Sequence, residues 1–351
     1  MAIFTIQGVK ISGMAACAPK QKVSNMDYEW IPEKERKMFV KTVGIEFRHI
    51  GPDEHTTSDW CTVAADRLLN DLGWQRDEIP LLLFVSQSPD YYLPATSLLV
   101  QHRLGLSMNC MAFDINLGCS GFVYGLSVAT SMMRSTGFKK ALLLAGDKSS
   151  ASTNYKDKST YPLFGDAGIA TALELDDTAE PMLFNLQSDG SRAEAIMIPD
   201  CATRNPMSPE TYLEQQYEGG LIRHRRNLAL DGLSVFNFSI NEVPENIKAT
   251  AEAAGNPLEF YDYLVLHQAN RLMTEQIRRK LKFPPEKVPY SIQEFGNTSS
   301  ASVPLTICWD TNEAVRTSKK WFLMSGFGVG LSWATASICL DHIVCPEVMY
   351  L

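Results

Sequence analysis

No stretch of the 351-residue chain stays apolar for long: its longest such run lies near Leu81–Val85. A helix that spans a bilayer needs roughly 20 apolar residues, so membrane insertion is not expected. Met1 to Lys10 lacks a basic start followed by a long apolar segment, so no secretory leader is expected there either. Positive charge is not in surplus, with 32 Lys and Arg against 40 Asp and Glu and a formal net charge of -8. Phosphate binding needs a basic face, so a nucleic-acid partner is not expected, although a local basic patch remains open. No two of the eight cysteines have CxxC spacing, and none falls in a Cys/His zinc pattern. No metal site is therefore expected. A chain of this length builds a core without disulfide staples, so the thiols read as reduced and the setting as cytoplasmic. Gly (22) and Pro (18) are too few for collagen-like or low-complexity architecture.

What is present is an ordinary globular composition, 45% hydrophobic and 21% charged, in a length that suits about two domains. Short apolar runs bounded by turn or charged residues read as buried strands: Leu81–Val85, Met111–Ile115, Ala141–Ala145, Tyr263–Leu266 and Trp321–Met324. Helical patterns lie at Asp59–Leu72, Gly121–Ser135, Asn246–Ala254 and Met273–Leu281. Continuous apolar strands alternating with helices indicate an α/β fold with a sheet covered on both faces. Segments also recur in order. GFKKALLLAGD and TSKKWFLMSGFG match, with Ala141 opposite Trp321, and DEIPLLLFVSQS and EFYDYLVLHQAN match, with Leu81 opposite Tyr263. AFDINLGCSGF and PYSIQEFGNTSSAS each read as a strand, a small-residue turn and a helix. One such repeat implies two similar halves, residues 1–178 and 179–351, packed on each other.

Four motifs could carry chemistry. In NLGCSGFVYG, Cys119 follows a strand and opens a helix, where the helix dipole stabilises a thiolate and flanking glycines let a substrate approach. A buried cysteine is more often a small apolar filler. In YLVLHQANRLM, His267 stands at the end of a strand, where open α/β sheets place their sites, but a structural histidine fits equally well. In EFGNTSSASVPL, Asn297 reads as a helix cap or as an amide aimed at a carbonyl oxygen. In MSGFGVGLSW, glycines at 326, 328 and 330 suit a tight turn or a loop that presents a backbone N–H. The repeat brings these motifs to one cleft, and their convergence carries more weight than any one of them.

These motifs resemble those of β-ketoacyl-acyl-carrier-protein synthase III (KAS III), of the thiolase superfamily. GCSGF, HQAN, GNTSSASVP and, more loosely, FGDAG (Phe164–Gly168) carry the resemblance, which runs from TVGIEFRHI to GFGVGLSW. It implies a five-layered αβαβα thiolase-like fold of two duplicated halves, a homodimer, and no cofactor beyond thioester substrates. It implies that Cys119 takes an acyl group from acyl-CoA or an acyl carrier protein. His267 and Asn297 then donate to the thioester carbonyl of malonyl-acyl carrier protein as it loses carbon dioxide. The backbone N–H groups of Cys119 and Val329 form the oxyanion hole, and Phe327 packs beside the nucleophile. Leu93 lines the acyl pocket across the dimer. Asp166, in FGDAG, reads as structural.

The sequence departs from the family pattern in places. The Trp that stacks on the CoA adenine aligns near Met38 and the Arg on its other face near Ser159, so that sandwich is missing and acetyl-CoA priming is in doubt. The segment LDHIVCPEVMYL runs past the usual family C-terminus without an assigned role. Two basic clusters, Arg223–Arg226 and Arg278–Lys282, stand out in an acidic chain. The second, with Arg271, Arg278 and Arg279, is a candidate rim for docking an acidic carrier protein, or equally an ordinary solvated helix face. A condensing enzyme of a specialised pathway and a non-catalytic partner subunit remain alternatives. A papain-like hydrolase is disfavoured because the CGSCW-like context is absent.

Overall fold

The computed structural model describes residues 2–351. Two sheets form its frame. The first has six strands, ordered Met349–Tyr350, Val9–Ala18, Asp166–Leu175, Lys140–Lys148, Leu81–Val85 and Met111–Ile115. The second has five, ordered Ala2–Ile6, Met182–Ser188, Ser332–Asp341, Lys319–Gly328 and Tyr263–Leu266.

The apolar strands are covered on both sides because their side chains alternate between faces. In Leu81–Val85, Leu81, Leu83 and Val85 point inward and join the central core with Phe122 and Leu126 of the helix Gly121–Thr136. Leu82 and Phe84 point outward and pack with Trp60, Ala64 and Leu68 of the helix Thr57–Leu72. The helix Ser302–Asp310 joins the same central core through Val303, Leu305 and Ile307. On the far side, Phe238 and Val243 of Gly232–Ala253 and Ile277 of Arg271–Leu281 cover Leu264, Leu266 and Leu323. Helix, sheet, helix, sheet, helix is the five-layered arrangement that the resemblance implies.

The duplication is visible in register. Leu81–Val85 pairs in parallel with Lys140–Lys148, which pairs antiparallel with Asp166–Leu175. Tyr263–Leu266 pairs in parallel with Lys319–Gly328, which pairs antiparallel with Ser332–Asp341. The third recurring segment departs from the expectation. Met111–Ile115 is a strand, but its counterpart is the short helix Ile292–Phe295. Its backbone is engaged elsewhere: Phe295 N–H donates to Ser291 O, Gly296 N–H to Ile292 O, and Glu46 N–H to Gln293 O. The Phe295 ring is held between His49, at 4.9 Å, and Trp309, at 5.0 Å.

Both chain ends cross the division at residues 178 and 179. Ala2–Ile6 adds to the second sheet along Met182–Ser188, and Met349–Tyr350 adds to the first along Val9–Ala18. The C-terminal segment thus covers an edge of the first sheet, with further bonds from Val344 N–H to Ser12 O and from Met14 N–H to Val344 O.

Candidate active site

Cys119 lies in the turn between the strand Met111–Ile115 and the helix Gly121–Thr136. The Ser120 hydroxyl meets that of Ser332 at 2.7 Å, which ties this turn to the second half. The glycines at 326 and 328 are explained by close approach. A Cβ on Gly326 would stand 2.7 Å from the Cys119 carbonyl oxygen, and one on Gly328 would stand 2.7 Å from the Cys119 Sγ. The strand Lys319–Gly328 can therefore lie against Cys119, and the backbone N–H groups of Val329 and Cys119 favour the charged form of its sulfur. The helix N-terminus does not leave a resting thiolate. Burial pushes the thiol up to about 11 and Asp147 adds to the rise, while the Val329 N–H and the Ser299 hydroxyl oppose it. Desolvation of an anion outweighs the dipole here.

His267 follows the strand Tyr263–Leu266 and is 1% exposed. Its Nδ1 is 2.6 Å from the Ser302 hydroxyl, and its ring meets Phe327 edge-on at 5.5 Å. Burial lowers its pKa to about 3, so the imidazole is neutral near pH 7. Asn297 is set by Gly296, whose φ of 67° and lack of room beside Leu163 O admit no side chain. Asn297 N–H donates to Leu163 O at 2.9 Å, and Gly165 N–H donates to Asn297 O at 3.1 Å. The Asn297 Oδ1 accepts from Ser299 N–H at 2.9 Å, which leaves the side-chain N–H groups free.

Cys119, His267, Asn297, Phe327 and Val329 all line one cavity of about 930 Å³, counted with its open mouth. Leu163, Ile196, Leu228, Leu230 and Met273 make much of its apolar wall. Ile196 and Leu230 lie in short paired strands at either end of the excursion between Met182–Ser188 and Gly232–Ala253.

Other expected residues lie elsewhere. Leu93 is 82% exposed on a surface loop, outside this chain's own cavity. Arg271 is exposed at the first turn of its helix, with its guanidinium 5.4 Å from the Tyr290 ring. Arg279 is exposed and 3.8 Å from Glu275, whereas Arg278 is tied to Glu275 at 2.9 Å and to Phe283 O at 2.9 Å. The Arg223–Arg226 cluster is not a free basic patch. Arg223 pairs with Asp157 at 3.1 Å and Arg225 with Asp200 at 2.8 Å, so its charge is largely spent on carboxylates of this chain. Asp166 is buried and accepts from Gly51 N–H at 2.8 Å and from the Ser150 hydroxyl at 2.6 Å, which fits a structural role.

Met38 is exposed on the helix Glu33–Val43, and the Ser159 hydroxyl is bonded to Asp157. Trp30, just before the helix Glu33–Val43, is 40% exposed, and its ring lies 6.4 Å from that of Tyr155. Asp147, Ser299 and Ser302 were overlooked. Each is a common residue at an unremarkable spacing, and only the fold brings it to the site.

The family model described as 3-Oxoacyl-[acyl-carrier-protein (ACP)] synthase III matches residues 113–190, and its C-terminal counterpart matches residues 251–339. The β-ketoacyl-acyl-carrier-protein synthase III of Streptococcus sanguinis is 32% identical over 333 residues, covering 94% of this chain and 99% of the relative. The chain belongs to the KAS III family. That of Lactococcus lactis is 30% identical and covers 94% of this chain and 99% of its own length. Among solved structures, a 3-oxoacyl-(acyl-carrier protein) synthase from Burkholderia xenovorans superposes with a TM-score of 0.93 at 34% identity, covering 99% of both chains. The priming β-ketosynthase of the R1128 polyketide pathway gives 0.80 at 25% identity, covering 97% of this chain and 98% of its own. This chain is accordingly a KAS III-like condensing enzyme, an acyltransferase. Among the described residues, no helix is long and apolar enough to cross a membrane.

Proposed function

We propose that the chain transfers an acyl group to Cys119 and condenses it with malonyl-acyl carrier protein, releasing carbon dioxide and a 3-oxoacyl carrier. The observation that carries this reading is the pairing of His267 and Asn297 over the Cys119 cavity, each with one side-chain nitrogen free. With the Ser302 hydroxyl donating to Nδ1, the imidazole keeps its proton on Nε2. Nε2–H and the Asn297 Nδ2–H then both donate to the malonyl thioester oxygen. As the C–C bond to the carboxylate breaks and carbon dioxide leaves, the charge moves onto that oxygen. Each aimed donor contributes on the order of a hundredfold or more. A neutral imidazole suits the task because it need not give up a proton to serve. The carbanion attacks the acyl-Cys119 carbonyl, whose oxygen collects the Cys119 and Val329 N–H bonds, and the C–S bond breaks to release the 3-oxoacyl carrier. The substrates supply the driving force, and no metal or organic cofactor has a part.

Arg271 and Arg279 would steer the acidic carrier. The homodimer would form along Met111–Ile115, whose outer edge is unpaired among the described residues and is flanked by exposed Leu93, Leu98 and Met108. Joined there, Leu93 of each protomer would reach the partner's acyl pocket. The cytoplasm, where thiols stay reduced, fits eight unpaired cysteines. A specialised pathway is the second reading. It draws on the likeness to a polyketide priming synthase and on the absence of a Trp at Met38 and an Arg at Ser159.

Intact mass after incubation with a panel of acyl-CoAs and acyl carrier proteins tests the proposal, with Cys119→Ser as control. The expected result is an adduct on the wild type alone that disappears when malonyl carrier protein is added, with a 3-oxoacyl product. An adduct from carrier proteins but not from CoA would favour the specialised pathway. No adduct from any donor would overturn the reading in favour of a non-catalytic partner subunit.

A further inference from the structure

Acylation requires the Cys119 thiol to lose a proton, and the thiol is held above its ordinary range by burial. The imidazole of His267 is engaged with Ser302 and makes no hydrogen bond to the sulfur. One carboxylate lines the cavity among the described residues, that of Asp147, which is 2% exposed. No cation lies within salt-bridge distance of it. The ammonium of neighbouring Lys148 is turned away to the carbonyls of Pro52, at 2.6 Å, and His55, at 2.7 Å. An unpaired buried carboxylate is costly, and one beside a nucleophile calls for a role.

Its surroundings supply one. Asp147 Oδ1 accepts from Gln87 N–H at 2.7 Å and from the hydroxyls of Ser86 at 3.1 Å and Ser88 at 3.3 Å. Oδ2 accepts from Ser300 N–H at 3.1 Å and from its hydroxyl at 2.8 Å. The carboxylate is thereby clamped between the end of Leu81–Val85 in the first half and the Asn297–Ser300 turn of the second. Ser299 lines the same cavity as the carboxylate and the thiol, and its hydroxyl opposes the upward shift of both. Ser299 is a non-glycine residue at φ 52°, a left-handed conformation that needs support from its surroundings. Its N–H bond to Asn297 Oδ1 provides part of that support. A Cβ added to Gly118 would come 3.1 Å from the Ser299 Oγ, which places the hydroxyl against the nucleophile turn.

We infer that Asp147 accepts the proton of the Cys119 thiol through the Ser299 hydroxyl as sulfur attacks the donor thioester. The S–H bond breaks, Ser299 Oγ takes that proton and passes its own to the Asp147 carboxylate, and the sulfur–acyl bond forms. The departing donor thiolate takes a proton back along the same path, so Asp147 ends ionised, as it began. Burial raises the pKa of Asp147 above the usual carboxylate range, which narrows the gap to the thiol. His267 and Lys148 are the other titratable groups that line the cavity around this pair.

This inference rests on Cys119 being the nucleophile of the proposed reaction. Asp147→Asn and Ser299→Ala test it by single-turnover acylation, by the rate of malonyl decarboxylation, and by iodoacetamide alkylation of Cys119 followed across pH by peptide mapping. In both variants acylation at pH 7 should fall on the order of a hundredfold. Decarboxylation should fall far less, and the acid limb of the alkylation profile should move to higher pH in Ser299→Ala, which loses a hydroxyl that favours the thiolate, and to lower pH in Asp147→Asn, which loses a neighbouring negative charge. Ser299→Ala keeps the backbone N–H that holds Asn297, so it separates the relay from simple positioning. A parallel loss of acylation and decarboxylation with an unmoved alkylation profile would overturn the relay in favour of a structural clamp. No loss in either variant would overturn it outright. Should the wild type fail to acylate, the parent reading falls, and alkylation still reads the relay.

Discussion

The Nδ1 atom of His267 lies 2.6 Å from the Ser302 hydroxyl, across 35 positions of sequence. With His267 neutral, this contact decides which nitrogen carries the proton facing the cavity. Ser302→Ala should lower malonyl decarboxylation by about tenfold or more while changing the rate of Cys119 acylation far less. Separate single-turnover measurements of the two half-reactions check this. Equal losses in both would point to a packing defect instead.

The protonation state of His267 also ties stability to pH. Its pKa falls from an ordinary 6.5 to about 3 on folding, because the buried charged form is desolvated. The unfolded chain therefore binds more protons than the native one between those values, and the contribution of His267 to stability, full above pH 6.5, is lost as the solution is acidified. Asp166 works in the opposite sense, since burial raises it to about 6. The stability associated with it is present below its unfolded value and is lost as pH rises through about 6. Thermal midpoints of His267→Gln between pH 4 and 7 should show a shallower fall on acidification than those of the wild type. Midpoints of Asp166→Asn should show a steeper one. Identical slopes would contradict both assignments.

Carrier docking is predicted to depend on Arg271 and Arg279, which are exposed, and far less on Arg278, which Glu275 and Phe283 O already hold. Charge reversal of Arg279 should raise the KM for malonyl carrier protein several-fold at low salt, with a smaller effect at high salt. Steady-state kinetics at two ionic strengths provide the check, and a salt-independent change would count against steering.

Association through Met111–Ile115 predicts that Met111→Glu, at an exposed position on this edge strand, shifts the sedimentation profile toward the monomer at micromolar concentration. An unchanged profile would place any dimer contact elsewhere.

The strands Leu81–Val85, Met111–Ile115 and Tyr263–Leu266 have the bounds their apolar runs suggest, and the helix Gly121–Thr136 differs from its sequence reading by one residue. Leu81–Val85 and Tyr263–Leu266 were legible because a strand covered on both faces is continuously apolar, a local property. The segment before Asn297 was misread as a strand because its pairing is decided by Glu46, His49 and Trp309, distant in sequence. The pairing of the Arg223–Arg226 cluster was hidden for the same reason: its partners Asp157 and Asp200 come from other parts of the chain.

From the sequence alone follow the two duplicated halves, the family, and the candidacy of Cys119, His267 and Asn297, since all rest on short motifs and on the order in which they recur. Tertiary structure alone decided the charge states and partners of these residues. A thiol, an imidazole and a carboxylate have ordinary acidities in an extended chain. They acquire new ones only when folding removes their water and brings Ser299, Ser302 and Ser300 beside them.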